Sequence, residues 1–285
     1  LSNYAIDASI QLGKDPLEAL TNRKVGGFKR QVNGQETFNQ QIRWLEALYL
    51  YKKFNAVSKW ASWIASNTDN IEVDVVHYIS TLKIASGLYR SNISMLFTYF
   101  KRHPLDLNME GLRLLYPRPF FQIVYESSKD KIDPFFVIAL MRQESAFDPR
   151  ARSQVNARGL MQLMPKTARR LSAGGAKMLY NEKANTSMGV KYLLNLAQQF
   201  EGRMELVLAA YNAGPLKVQE WLTRNERKDP LLCNDLIPYM ETRDYVSSIL
   251  RNNYFYVRLY GYTDETKSTT KVYSSELVTK LLATK

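Results

Sequence analysis

Apolar residues recur every three to four positions along most of this chain, and this periodicity restricts it to a helical fold. In the segment 36–54, the stripe consists of Phe38, Ile42, Leu45 and Tyr49. This spacing places the four side chains on one face of a helix. Strand-type alternation of apolar and polar residues is rare in the sequence. We therefore predict an all-α fold.

Prolines divide the chain into two helical regions. Prolines at positions 104, 117 and 119 interrupt the helical pattern, and helices tend to end before a proline. We place a domain junction near residues 104–118 and expect an N-terminal helical domain over 1–115, followed by a second domain over 116–262. The polar residues 263–285 are expected to form a loosely attached tail. Three tryptophans of the first region are expected in its core: Trp44, Trp60 and Trp63.

Capping residues predict where helices begin in the second region. Asp133 followed by Pro134 is typical of a helix start, with the carboxylate as N-cap and the proline at the first helical position. The helix that follows is expected over 135–145. Asn185 is expected to cap another helix. Further helices are expected over 204–212, closed by Gly214, and over about 241–260.

The composition limits the partners and cofactors. A formal charge of +12 favours attraction to nucleic acid, an anionic membrane or an anionic cell-wall polymer, and ordinary solubility is the alternative explanation. The single cysteine, Cys233, excludes an intrachain disulfide, and His77 and His103 lack partners at ligand spacing, so we predict no metal and no cofactor. No apolar run approaches the ~20 residues that cross a bilayer, so no integral membrane segment is expected. A cleaved leader would leave no trace.

Glu144 is the first candidate for chemistry. Phe136, Leu140 and Glu144 are spaced four residues apart, so the carboxyl group continues an apolar helix stripe. Partial desolvation there would raise its pKa and keep it protonated near neutral pH, as a glycosidase acid requires. By itself this is weak evidence, because a lone glutamate near a helix end is more often solvated or paired.

Four separated motifs give Glu144 a context. They are RQESAFDP (142–149), GLMQLMP (159–165), AAYNAGP (209–215) and IPYMETRDYV (237–246). In order and spacing, over residues 116–260, this series resembles the soluble lytic murein transglycosylase family. The resemblance implies a goose-lysozyme-like catalytic domain. It also implies an extracytoplasmic bacterial enzyme, expected in the periplasm, that acts on the glycan strands of peptidoglycan.

The resemblance also implies roles for individual residues. Glu144 matches the catalytic acid/base of the family, and Tyr211 matches a tyrosine whose hydroxyl points at that glutamate. Glu241 matches a second groove glutamate that is set back from the scissile bond. The substrate-binding residues implied in this way are Ser153, Gln162, Met164, Tyr211, Asn212 and Glu241. For Asn212, shaping a helix end is an equally good interpretation.

The scarcity of acidic residues favours one type of reaction. Between Asp148 and Glu182 there is no Asp or Glu but seven Lys or Arg. A hydrolase ordinarily needs a second carboxylate, and similar goose-type lysozymes have aspartates at the positions of Ser153 and Met164. We therefore expect a lytic transglycosylase. Glu144 would protonate the oxygen between MurNAc and GlcNAc and then accept the C6 hydroxyl proton, which closes a 1,6-anhydro sugar.

Two other functions remain open from the sequence. One is a goose-type-like lysozyme that uses water, with assistance from Glu241, and the other is a non-catalytic muropeptide-binding protein. The basic residues of the second region permit nucleic-acid binding, but no zinc finger or RNP motif accompanies them, so no nucleic acid is expected as a partner. Their positions also fit a groove rim for anionic stem peptides, or a solvated face. They are Arg150, Arg152, Arg158, Lys166, Arg169 and Arg170. Protein partners, oligomeric state and endo- versus exo-action are not indicated.

Overall fold

The computed structural model describes residues 36–67, 71–129, 131–224 and 237–261. Within these ranges the chain forms helices and no β-strand, with two isolated bridges that link Arg158 to Arg152 and to Leu163. The all-α prediction is confirmed. No helix in the same ranges is both long and apolar enough to cross a membrane. Several predicted features lie outside the described residues, namely the tail over 263–285, Cys233 and the start of the first domain.

The described residues divide into two compact units, and the boundary lies between Pro117 and Arg118. We refer to them as the N-terminal unit and the C-terminal unit. The N-terminal unit contains α1 (Glu36–Leu50), α2 (Phe54–Asn67), α3 (Val73–Ala85), α4 (Tyr89–Arg102) and α5 (Met109–Leu115). The C-terminal unit contains α6 (Phe121–Ser128), α7 (Pro134–Ser145), α8 (Pro165–Leu171), α9 (Glu182–Gln199), α10 (Met204–Ala213), α11 (Pro215–Arg224) and α12 (Met240–Tyr260).

The N-terminal unit has its own core, in which α2 packs against α1, α3 and α4. The predicted stripe of α1 points inward, since Ile42 and Leu45 are buried. Two of the three tryptophans expected in this core are instead on the surface, with Trp44 66% and Trp63 45% exposed. Trp44 lies between the two inward positions of α1 and therefore falls on its outer flank. Trp63 stacks on Trp60 with ring centroids 5.1 Å apart.

Helix α7 is the central element of the C-terminal unit. Every residue from Phe135 to Met141 is buried, and the helix packs against α6 and α12. A helix that is apolar on all sides needs such complete burial. Its start is as predicted, because the Asp133 side chain accepts a hydrogen bond from the Phe135 N–H and Pro134 occupies the first turn. The position of its last turn, which carries Glu144, is therefore fixed by the core.

The N-cap of α9 is Asn181 and not Asn185, so that prediction was wrong. The Asn181 side chain accepts a hydrogen bond from the Ala184 N–H. Asn is a good N-cap at either position, and propensity does not separate two asparagines one turn apart. Asn185 is buried inside α9 and binds backbone groups of the α7–α8 loop and the segment before α9. It accepts from the Met161 N–H at 2.8 Å and donates to the carbonyls of Arg158 at 3.0 Å and Leu179 at 2.8 Å.

Gly159 of the α7–α8 loop has no space for a side chain. Its substitution therefore tests how tightly the loop packs against Leu179 and Asn185. Its φ is +78°, and a Cβ there would lie 2.1 Å from the Leu179 carbonyl oxygen and 2.4 Å from Asn185 Nδ2. We expect Gly159→Ala to lower the free energy of unfolding by about 2–4 kcal/mol, because the backbone must shift and alanine disfavours positive φ. Urea unfolding followed by circular dichroism measures this loss.

Gly174→Ala provides a matched control for that substitution. Gly174 has a similar φ of +72°, but a Cβ at this position would have no other atom within 4 Å. Only the conformational cost of about 1 kcal/mol should remain. Equal losses in the two variants would show that the contacts with Leu179 and Asn185 do not constrain the loop.

Candidate active site

Glu144 lies in the last turn of α7, above the buried side chains of Phe136 and Leu140. Burial raises the pKa of its carboxyl group to about 7, and a hydrogen bond from Tyr245 opposes this rise. The predicted desolvation of the apolar stripe is therefore present. A carboxyl group with such a pKa carries a proton in a large fraction of molecules at neutral pH. It can act as a general acid and, once ionised, as a general base.

The hydrogen-bond partner of Glu144 is Tyr245, whose hydroxyl donates to Glu144 Oε1. Tyr245 lies on α12, which packs along α7. The sequence prediction gave this role to Tyr211, but the Tyr211 hydroxyl donates to the Met161 carbonyl at 2.7 Å. Tyr245 belongs to the fourth motif but was assigned no role. Its spacing of four residues from Glu241 was the signal that placed it on the same helix face.

Three tyrosines from three helices cluster at this site: Tyr245 of α12 and Tyr211 of α10 lie near the carboxyl group, and Tyr192 of α9 packs on Tyr211. The rings of Tyr192 and Tyr211 pack together with centroids 5.2 Å apart. Burial raises the pKa of Tyr211 and Tyr245 well above its usual value, and the charge of Glu144 raises both further. Both hydroxyls therefore stay protonated and act as donors, and Glu144 is the group in this cluster that exchanges a proton near neutral pH.

Helix α7 ends at Ser145, the residue after Glu144. Ala146 and Phe147 both have left-handed backbone conformations, with φ of 49° and 67°. Each such non-glycine residue costs about 1–3 kcal/mol, so surrounding contacts must hold the turn. Phe147 is fully buried, and its N–H donates to Ser145 Oγ at 3.1 Å. Ser145 Oγ also donates to the Leu160 carbonyl at 2.9 Å, which ties the α7–α8 loop to the end of α7.

The α7–α8 loop contains three of the predicted substrate-binding residues. Gln162 Nε2 donates to the carbonyls of Ala151 at 3.1 Å and Gly159 at 2.9 Å, so its amide hydrogens hold the loop and its Oε1 is left as an acceptor. Ser153 Oγ accepts from the Ala157 N–H at 3.0 Å and shapes the same loop. Met164 directly precedes α8 and is 40% exposed. Leu160, Met161 and Leu163 of the same loop are buried.

The other two predicted residues, Asn212 and Glu241, lie where α10 ends and α12 begins. Thr242 Oγ1 donates to Asn212 Oδ1 at 2.9 Å, which fastens the first turn of α12 to the end of α10. Asn212 therefore has a structural contact, in line with its alternative interpretation. Glu241 is exposed and lies one turn before Tyr245 on α12, so the two side chains share a helix face.

No second acidic side chain of the described residues contributes to the raised pKa of Glu144. Asp148, the nearest acidic residue in sequence, is exposed and accepts a hydrogen bond from the Arg150 N–H at 2.8 Å. The described part of the chain also contains no group of three or more His, Cys, Asp or Glu side chains that could hold a metal ion. The chemistry available at this site is proton transfer by one carboxyl group.

Sequence comparison identifies a family and several relatives. Residues 122–233 match the model of the transglycosylase SLT domain. The chain is 28% identical over 278 residues to a soluble lytic murein transglycosylase of Salmonella typhimurium, a match that covers 90% of this chain and 39% of the relative. It is 31% identical over 227 residues to the soluble lytic murein transglycosylase of Escherichia coli K12, covering 76% of this chain and 33% of the relative. The chain thus spans little more than a third of the length of these relatives.

Solved structures share the fold. The 70 kDa soluble lytic transglycosylase of Escherichia coli superimposes with a TM-score of 0.67 at 22% identity, covering 95% of this chain and 42% of that one. An inactive Glu-to-Gln mutant of lytic transglycosylase Slt from Pseudomonas aeruginosa gives a TM-score of 0.68 at 24% identity, covering 90% and 41%. These likenesses establish that the helical architecture is that of the soluble lytic transglycosylases.

Tyr245→Phe tests the cause of the Glu144 protonation state. The hydrogen bond from Tyr245 lowers the pKa of Glu144, because it stabilises the carboxylate more than the neutral acid. In this variant the pKa of Glu144 should therefore lie above the value of about 7 that it has with Tyr245 in place. NMR titration of ¹³Cδ-labelled glutamate measures this. Tyr211→Phe is the control, since its hydroxyl bonds to Met161; a larger shift in that variant would contradict the assignment.

Glu144→Gln should stabilise the protein at alkaline pH. Burial raises the pKa of Glu144 from 4.5 to about 7, so the unfolded chain releases this proton first and the folded state loses stability as pH rises from 4.5 through 7. Glutamine has no such penalty. At pH 8 the variant should be more stable by about 2–3 kcal/mol, with the difference vanishing below pH 4.5. Urea unfolding at both pH values measures this, and a variant less stable at pH 8 would contradict the buried-acid interpretation.

Proposed function

We propose that this chain, whose residues 122–233 match the transglycosylase SLT domain, is a lytic transglycosylase that cleaves the MurNAc-β-1,4-GlcNAc bond of peptidoglycan and forms 1,6-anhydro-MurNAc. The observation that carries the proposal is the single carboxyl group of Glu144, with its pKa near 7 and its hydrogen bond from Tyr245. The named relatives are murein transglycosylases. Their substrate lies outside the cytoplasm, so we propose an extracytoplasmic, periplasmic location for this chain.

The first step is protonation of the glycosidic oxygen by Glu144. Because Oε1 accepts the hydrogen bond from Tyr245, the transferable proton is carried by Oε2. As the bond to the leaving GlcNAc oxygen breaks, positive charge develops at C1 of MurNAc and Glu144 becomes a carboxylate. Its hydrogen bond from Tyr245 then becomes charge-assisted and stronger. The tyrosine thus stabilises the ionised form that is produced as the reaction proceeds.

The second step closes the anhydro ring and restores the enzyme. The C6 hydroxyl of the same MurNAc attacks C1, and the Glu144 carboxylate accepts its proton. One C–O bond breaks and one forms, the proton returns to Glu144, and no water is consumed. The attacking oxygen is tethered to the reacting sugar, which avoids much of the entropy cost of capturing a free water molecule.

Hydrolysis fits the site less well. A retaining or inverting hydrolase needs a second carboxylate, at roughly 5–5.5 Å or 6.5–9.5 Å respectively, and no other acidic side chain of the described residues contributes to the raised pKa of Glu144. Tyr211 and Tyr245 hold their protons too firmly to activate water. A purely muropeptide-binding role does not account for a buried acid, since an uncharged residue would avoid its cost in stability.

We propose that the groups with free hydrogen-bonding capacity or exposed surface contact the glycan. These are the Oε1 atom of Gln162, the exposed side chain of Met164, and the Glu241 carboxylate. Ser153, Tyr211 and Asn212 each have a hydrogen bond within the protein. These three residues therefore position other parts of the site, and a contact with substrate would be a second role.

The product mass tests the function. Purified sacculi digested with the protein should release muropeptides that end in 1,6-anhydro-MurNAc, which have no reducing end and keep their mass after borohydride treatment. Products that gain 2 Da instead would overturn the transglycosylase assignment in favour of hydrolysis. Glu144→Gln is the control, because glutamine cannot exchange the proton and should lose at least about 10²–10⁴-fold in rate. A variant with more than a tenth of the original activity would remove Glu144 from its proposed role.

A further inference from the structure

Helix α8 carries three exposed cations in seven residues: Lys166, Arg169 and Arg170. None of them forms an ion pair with an acidic side chain in the described part of the chain. The surrounding sequence offers no acidic neighbour either, since residues 149–181 contain no Asp or Glu. The charge of this helix is therefore uncompensated locally, whereas surface cations are usually interspersed with acidic residues.

Lys166 and Arg170 lie side by side on the outer face of α8. They are four residues apart and are therefore neighbours on the helix surface. Ala168, halfway between them, is fully buried, so the opposite face of α8 packs inward. Two like charges at this spacing repel each other. A bound anion would remove that repulsion, and both side chains are free to reach it.

Both ends of α8 are attached to elements of the Glu144 site. At its start, Met164 follows the loop whose Met161 carbonyl accepts the Tyr211 hydroxyl. At its end, the Leu171 carbonyl accepts a hydrogen bond from Lys191 Nζ at 2.9 Å. Arg170 and Tyr192 are the residues next to the two partners of that bond. The Arg170 charge accordingly lowers the pKa of Tyr192, against the larger effect of burial, which raises it.

A series of neighbouring residues links Arg170 to the acid. Tyr192 packs against Tyr211 with ring centroids 5.2 Å apart, and the charge of Glu144 acts on Tyr211. Arg170 thus lies next to Tyr192, the tyrosine that packs on Tyr211, and Lys166 is its neighbour one turn earlier on α8.

We propose that Lys166 and Arg170 form an anion-binding subsite for a carboxylate on the peptide stem of the glycan strand, and this rests on the proposed function. The uncharged sugar rings offer nothing to two cations, whereas the stems carry carboxylates. Arginine binds a carboxylate with two parallel hydrogen bonds, and lysine adds a point charge. The subsite makes the enzyme selective for strands that still carry free stem carboxylates.

Paired substrates isolate the carboxylate. Glycan strands with intact peptide stems are compared with the same strands after their carboxylates have been converted to amides with carbodiimide and ammonia. The unaltered protein should cleave the free-carboxylate strands with a kcat/KM about tenfold higher and bind them about tenfold more tightly. Lys166→Gln/Arg170→Gln should lose this preference and cleave the amidated strands as well as before. Lys166→Arg/Arg170→Lys should retain most of it.

A matched pair controls for net charge. Lys59→Gln/Lys101→Gln removes two exposed lysines of the N-terminal unit and should keep the full preference. An equal loss in this pair would assign the effect to general attraction by the +12 chain and overturn the subsite. Loss of activity on both substrates by Lys166→Gln/Arg170→Gln would also overturn it, as would an unaltered protein without preference.

The binding measurement separates this inference from the proposed function. If the unaltered protein cleaves neither form of the strands, the proposed function fails, and binding to the two forms still decides whether the carboxylate is recognised. If it cleaves both forms equally and binds them equally, the subsite fails and the proposed function stands.

Discussion

The site depends on one costly arrangement, a carboxyl group at the end of a helix whose residues from Phe135 to Met141 are all buried. Glu144 obtains its raised pKa from the core that surrounds α7. Tyr245 of α12, the helix that packs along α7, donates the hydrogen bond to this carboxyl group. Desolvation disfavours the charged form of this carboxyl group. Contacts within the protein must therefore hold the side chain in its desolvated position. The Ser145 hydrogen bonds and the left-handed turn after it serve that purpose.

Much of this arrangement follows from local sequence. Asp133 and Pro134 predict where α7 begins, because capping and proline geometry depend only on neighbouring residues. The spacing of Phe136, Leu140 and Glu144 then predicts the desolvated carboxyl group. Each inference needs no knowledge of the partner helices. The four ordered motifs also identify the α7–α8 loop and the helices α10 and α12 as the elements that accompany Glu144 in the site.

The errors arise where the choice depends on three-dimensional contacts. Tyr211 and Tyr245 are both tyrosines on helices that reach the site, and the packing of α12 on α7 gives Tyr245 the hydrogen bond. Asn181 and Asn185 are equally good caps, and only the loop carbonyls of Arg158 and Leu179 assign Asn185 another role. Trp44 has an apolar side chain, but its helix flank has no partner among the described residues that buries it.

The hydrogen bond between Tyr245 and Glu144 joins residues 101 positions apart in sequence. A contact of such high sequence separation forms only after a large loop has closed. The proton affinity of Glu144 is therefore a property of the complete tertiary fold and not of α7. During synthesis, a chain that has reached residue 215 already contains Glu144, the loop and Tyr211, but not the donor that stabilises the ionised acid. The ionised form of Glu144 therefore gains this donor only when α12 docks on α7.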